Sequence, residues 1–244
     1  MEAGIQYAKT EDGVSIAYSV TGEGPPLVLV HGYTGDVSEW ENQIEEFAGD
    51  FRVLVLDNRG HGQSEAPTDI EAYTVELMVE DTLAVIAVAG FEKYHLVGHS
   101  MGGAVALEIA LRHPGRLFSL TLHDTSHSFA DHDQPGETLP YVPPEHIKMG
   151  AKRIAGMSKT ALAGTWKGLI GWRGATDRDH QIETPTLIIY GDRDGSRIIE
   201  GSQRLKELIP HATIVVIKGG GHSPQRQCPD EFNAALRRHL EGAG

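Results

Sequence analysis

Short apolar runs alternate with longer amphipathic stretches along most of the chain. Residues 26–30 (PLVLV), 51–56 (FRVLVL), 94–97 (YHLV), 117–122 (LFSLTL), 186–190 (TLIIY) and 213–217 (TIVVI) are rich in Val, Ile and Leu. Runs of this length, apolar on both faces, suit parallel strands covered by helices. Residues 13–20 instead alternate between polar and apolar, which predicts an antiparallel edge strand. Between these runs, residues 75–89 repeat apolar positions at three and four (Val75, Met78, Val79, Thr82, Val85, Ile86). Residues 103–111 are small and apolar throughout, as a helix packed closely on a sheet would be. Residues 198–208 and 230–240 complete the helical set. The βαβα order predicts an α/β fold with a doubly wound, mostly parallel sheet.

One stretch breaks this rhythm. From Ser126 to Glu183 no strand-like run occurs. A polar loop comes first, then two helical patterns: Ile147, Ala151 and Ile154, then Ala161, Leu162, Thr165, Trp166 and Leu169. The expected organisation is a core of residues 1–125 and 184–244 with a helical lid, residues 126–183, inserted between two strands.

The chain has 244 residues, 40% of them hydrophobic, which suits one α/β domain with a large core. The formal net charge of -13 argues against nucleic acid as a partner, because a phosphate-binding face needs clustered Lys and Arg. Cys228 is the single cysteine, so neither an intrachain disulfide nor a multi-thiolate zinc site is expected. Met1 to Asp12 has neither the basic nor the apolar region of a signal peptide, and no apolar run reaches membrane-spanning length. These features lead us to expect a cytoplasmic protein, monomer or homodimer, with no membrane partner.

The chemistry centres on Gly98-His99-Ser100-Met101-Gly102, between a strand and a helix. A strand entering a helix directly makes a sharp turn that presents Ser100 as a nucleophile and demands small neighbours two residues either side. An oxyanion site needs donors where negative charge develops. The amide of Met101 is one candidate. The loop His31-Gly32-Tyr33, after PLVLV, offers the amide of Tyr33 as the other. His222, in a glycine-rich loop after the last strand, is the candidate base. Asp194, after TLIIY, is the preferred acid to orient it, with Asp192 and Asp124 as alternatives.

These motifs, together with Asp57–Ser64 (DNRGHGQS), closely resemble the α/β-hydrolase superfamily across nearly the whole chain, and most of all its small-lid esterases, lactonases and carbon–carbon bond hydrolases. The resemblance implies a sheet of about eight strands with a short helical lid after the sixth. It implies a triad of Ser100, Asp194 and His222, no metal and no organic cofactor, and a mainly structural role for His61 and Ser64. Haloalkane dehalogenases and epoxide hydrolases carry an aspartate at the elbow, where this chain has Ser100. The expected function is hydrolysis of a small-molecule carboxylic ester or lactone through an acyl-enzyme on Ser100. Carbon–carbon bond hydrolysis of a ring-cleavage dioxo acid uses the same triad. A signal-binding receptor that retains the triad is the alternative of another class.

His31, Gly32, Phe129, Trp166 and Trp172 are candidates for lining the substrate site. His123, Asp124, His127, Asp131, His132 and Asp133 crowd one segment, but their spacing fits no ligand pair on a helix or hairpin, so no metal site is expected. Residues 145–173 carry +5, leaving -18 for the rest of the chain. Such a basic lid would either lean on the acidic body or steer an anionic substrate toward Ser100.

Overall fold

A computed structural model describes residues 4–130, 142–174 and 178–243. Its strands are β1 (Gln6–Lys9), β2 (Ser15–Thr21), β3 (Pro26–Val30), β4 (Arg52–Leu56), β5 (Tyr94–His99), β6 (Leu117–His123), β7 (Thr186–Gly191) and β8 (Thr213–Ile217). The helices are α1 (Glu41–Phe47), α2 (Val75–Val88), α3 (Met101–Arg112), α4 (Pro144–Gly156), α5 (Lys159–Gly171), α6 (Ser196–Leu208), α7 (Pro224–Gln227) and α8 (Pro229–Gly242).

The strands form a single sheet in the order β1-β2-β4-β3-β5-β6-β7-β8. The pairs β1–β2 and β2–β4 are antiparallel and the rest are parallel. The alternating segment after Gly13 is therefore antiparallel, as its pattern predicts, but it is not the edge. The edge is β1, whose residues Gln6 to Lys9 pair with Tyr18 to Ser15. With three of its four residues exposed, β1 lacks the apolar run by which a buried strand is recognised.

Successive residues of one strand feed opposite cores. Val28 and Val30 join the core beneath α2, α3 and α6, while Leu27 and Leu29 join Phe47 of α1 and Phe232, Leu236 and Leu240 of α8. Both faces are dry, which is why these strands read as continuous apolar runs. Helix α3 is buried from Met101 to Ala110, so it follows the elbow straight into the core.

Helices α4 and α5 lie in the chain between β6 and β7. Helix α5 packs tightly: a Cβ on Gly168 would meet the Tyr73 carbonyl oxygen at 2.0 Å. Helix α4 is held differently. Its predicted apolar face points outward, with Ile147 57% and Ile154 43% exposed. The half-buried positions are His146, Gly150 and Arg153. Among the described residues no helix is long and apolar enough to cross a membrane.

Candidate active site

The elbow is built from backbone constraints. Ser100 has φ 52 and ψ -114, a conformation that costs a non-glycine residue about 1–3 kcal/mol. Its neighbours hold it there. The Ser100 amide donates to the His123 carbonyl at 2.9 Å. The Ser100 carbonyl accepts from Thr125 Oγ1 at 2.7 Å and from the Gly103 amide at 2.8 Å. The flanking glycines are obligatory: a Cβ on Gly98 would lie 2.2 Å from the Gly102 carbonyl oxygen, and one on Gly102 would lie 2.2 Å from that of Val30.

Around the Ser100 hydroxyl, loops from different strand ends converge. Ser100 Oγ donates to His222 Nε2 at 3.0 Å. His222 Nδ1 donates to Asp194, 2.9 Å from Oδ2 and 3.1 Å from Oδ1. The Gly195 amide donates to the same carboxylate at 2.6 Å. Burial alone pushes the Asp194 carboxyl up. His222, Asp124 and the Gly195 amide outweigh it and hold the group below the usual carboxylate range. Asp192, the alternative in the same loop, instead accepts from the Gly219 amide at 2.7 Å.

Met101 is the first residue of α3, where an amide has no intrahelical acceptor, and it directly follows Ser100. The loop carrying Tyr33 is pinned on its far side. The Thr34 amide donates to His61 Nε2 at 3.3 Å, and Thr34 sits at φ 61. His61 Nδ1 donates to the Arg59 carbonyl at 3.0 Å. Burial, with His31 beside it, pushes His61 down to about 3, so it stays a neutral acceptor. His61 and Ser64 thus act on the loops rather than on the cavity: Ser64 Oγ accepts from the Ala17 amide at 2.8 Å.

Beside Ser100 lies a cavity of about 280 Å³ lined by Tyr33, Thr34, Phe129, Trp166, Leu169 and Ile198, with Asp194 and His222 at its wall. This chain of hydroxyl, imidazole and carboxylate opening onto an apolar cavity can perform nucleophilic acyl transfer. A family model described as alpha/beta hydrolase fold matches residues 25–146. Epoxide hydrolase 4 of Mus musculus is 34% identical, over 96% of this chain and 79% of its own. A thermophilic esterase from Thermogutta terrifontis, solved with malate bound, superposes with a TM-score of 0.87 at 28% identity, covering 99% of each chain. Est816, described as an N-acyl homoserine lactone degrading enzyme, gives 0.86 at 26% identity, over 95% of this chain and 99% of its own. The chain belongs to the alpha/beta hydrolase fold family.

In this hydrolase the expected lining residues separate into two groups. Phe129 and Trp166 line the cavity. Trp172 does not: its indole is buried and Nε1 donates to Glu108 Oε1 at 3.0 Å. It backs the cavity wall, its ring 6.2 Å from that of Phe129 and its amide donating to the Leu169 carbonyl at 3.1 Å. His31 is also withdrawn, its Nε2 accepting from the Asn58 amide at 2.9 Å. Gly32 lies against His99 and Ser100, where a Cβ would come within 2.9 Å of the His99 ring. Both corrections have one cause. Sequence shows which residues reach a strand end, but not the direction of a side chain once its polar atoms find partners.

Two basic residues of the 145–173 segment reach acids of the body. Arg153 lies 3.7 Å from Asp36, and Lys167 pairs with Glu71. Of the crowded histidine–aspartate segment, His123 and Asp124 sit at the end of β6, and Asp131, His132 and Asp133 lie outside the described residues.

The hydrolase also holds residues behind the site that no sequence pattern singles out. Glu39, in a 3-10 turn (Val37–Trp40), is 4% exposed and ion-paired with His99 Nδ1. Burial pushes the Glu39 carboxyl up, but the His99 ring, helped by His31 and Arg153, drives it far below the usual carboxylate range. His99 Nε2 donates to the His222 carbonyl at 2.6 Å. Gln225 Nε2 donates to Glu39 at 2.9 Å, and its Oε1 accepts from His123 Nε2 at 2.8 Å. A glutamate next to a tryptophan in a short turn carries no local signal of this role.

Proposed function

We propose that this hydrolase cleaves a small carboxylic ester or lactone through an acyl-enzyme on Ser100, with His222 as general base and acid and Asp194 as its orienting carboxylate. The carrying observation is the continuous hydrogen-bonded path Ser100–His222–Asp194, with links of 3.0 and 2.9 Å, facing a largely apolar cavity. His222 takes the Ser100 proton as Oγ attacks the carbonyl carbon. The amides of Tyr33 and Met101 hold the oxyanion. His222 returns the proton to the leaving oxygen, releasing the alcohol, or freeing the hydroxyl end of an opened lactone. A water deprotonated by His222 then attacks the acyl-enzyme, and the acid departs as Ser100 regains its proton.

The likeness to an esterase and to a lactone-degrading enzyme supports this substrate class. The likeness to an epoxide hydrolase raises epoxide opening, but Ser100 argues against it. Attack by a serine on an epoxide leaves an ether, which has no carbonyl for water to attack, so the cycle stops after one turn. Helices α4 and α5 are read as the lid, because Trp166 and Leu169 of α5 close one side of the cavity.

Intact-mass analysis after a fluorophosphonate probe tests the chemistry. One adduct at Ser100 is expected, absent in Ser100→Ala. A panel of p-nitrophenyl esters, lactones and a ring-cleavage dioxo acid then reads the bond cleaved. Preference for the dioxo acid over every ester and lactone overturns the substrate class. Labelling without multiple turnover on any of them points instead to a signal-binding receptor.

A further inference from the structure

Polar contacts behind the site form a ring. From the His222 carbonyl they run through His99, Glu39, Gln225 and His123 to Asp124, whose carboxyl lies within 4.8 Å of that of Asp194, and Asp194 closes the ring on His222 Nδ1. Each link constrains where protons sit. Glu39 accepts from both neighbours, so the Gln225 amide must present Nε2 to it and Oε1 to His123. His123 Nε2 therefore carries a hydrogen. That leaves Nδ1 of a neutral His123 as a lone pair, facing Asp124 Oδ2 at 2.6 Å. Two lone pairs do not tolerate that approach, so a proton belongs at this contact.

Two neighbours decide which residue owns it. Both ring nitrogens of His99 face acceptors, the Glu39 carboxylate and the His222 carbonyl. Its ring lies 4.6 Å from that of His123, and burial, with His99 beside it, pushes the His123 imidazole well below its usual range, so His123 stays neutral. On the other side the Asp124 carboxyl lies within 4.8 Å of that of Asp194, whose negative charge faces His222. Two adjacent buried carboxylates cannot both ionise at ordinary pH. Oδ1 of Asp124 is occupied by the Gly191 amide at 3.0 Å, which places the hydrogen on Oδ2.

We infer that Asp124 is a neutral carboxylic acid in the working enzyme, a positioning residue whose Oδ2 hydrogen is shared between Asp194 and His123 and keeps Asp194 ionised and aimed at His222. It is neither the orienting carboxylate itself nor a spare for it. Asp124 is wholly buried. Burial and the adjacent Asp194 charge push its carboxyl well above the usual carboxylate range, with the Gly191 amide opposing. The groups facing it are His123 on β6, Asp194 after β7 and His222 after β8, with His99 and Glu39 one link further round the ring. The inference rests on the reading of Asp194 and His222 given above.

An isostere separates the possibilities. In Asp124→Asn the amide oxygen can still accept from Gly191, and its two N–H groups can serve Asp194 and His123 together. Isotope-edited infrared spectra of wild type minus D124N, with labelled aspartate, are expected to show a protonated carboxyl band at pH 7. Raising the pH of wild type alone reads the same band without any variant. Turnover of p-nitrophenyl acetate by D124N is expected within about threefold of wild type, whereas Asp124→Leu loses about tenfold or more in kcat at unchanged KM, and Asp194→Asn about a thousandfold or more. A missing band at pH 7, or D124N as inactive as D194N, overturns the inference. Failure of the triad reading looks different: Ser100 takes no fluorophosphonate while the infrared band remains.

Discussion

His99 Nε2 lies 2.6 Å from the carbonyl oxygen of His222, so the residue before the elbow serine holds the loop that carries the imidazole facing that serine. The contact explains how a glycine-rich loop, flexible by composition, keeps His222 Nε2 at 3.0 Å from Ser100 Oγ. The elbow and the loop after β8 are one polar unit, joined through Glu39 to the 3-10 turn after β3.

The strain at Ser100 has two separable consequences. Ser100→Ala removes the nucleophile and keeps the backbone, so hydrolysis should fall on the order of 10,000-fold or more with little change in stability. Ser100→Gly also removes the strain at φ 52. It should raise unfolding free energy by about 1 kcal/mol in urea titrations. Esterase activity of either variant near wild type would remove Ser100 from the mechanism.

Glu39→Gln leaves the His99 ring buried with a neutral partner. The loss of one member of a buried pair costs about 3 kcal/mol or more. Because the pair is direct, the double variant E39Q/H99Q should be less destabilised than the sum of the singles. Urea unfolding of the four proteins measures this, and strict additivity would show that the two side chains do not act together.

Stability should fall on acidification from about pH 6.5. His61, held at about 3 in the folded chain against 6.5 unfolded, takes up a proton on unfolding throughout that window. Its contribution is therefore complete above 6.5 and lost as pH drops toward 3, with a slope of about 1.4 kcal/mol per pH unit. His61→Gln, which retains an acceptor toward the Thr34 amide, should flatten the curve between pH 6 and 4. An unchanged slope would exclude His61 as the source.

Phe129 closes one side of the cavity, 3% exposed and in contact with Trp172. Phe129→Ala should shift preference toward longer acyl chains, changing the kcat/KM ratio of decanoyl to butanoyl esters by about tenfold or more. Acetyl ester turnover should change little. A ratio that stays fixed would mean the acyl chain lies elsewhere.

The alternation of apolar strands and amphipathic helices, the small residues about Ser100 and the placement of Asp194 and His222 after successive strands are local properties, so the chain alone determined the parallel part of the sheet, the elbow and the candidate acyl-transfer residues. They were legible because parallel strands buried on both faces must be continuously apolar, and because a strand-to-helix turn demands small residues two positions either side of its serine. The exposed edge strand β1, the withdrawal of Trp172 to Glu108 and the outward apolar face of α4 left no such trace. Only the tertiary structure decided the ring from Glu39 to Asp124. Its members lie on different elements, at positions 39, 99, 123, 124, 194, 222 and 225, and what selects them is the pairing of buried donors with acceptors, a condition no stretch of sequence expresses.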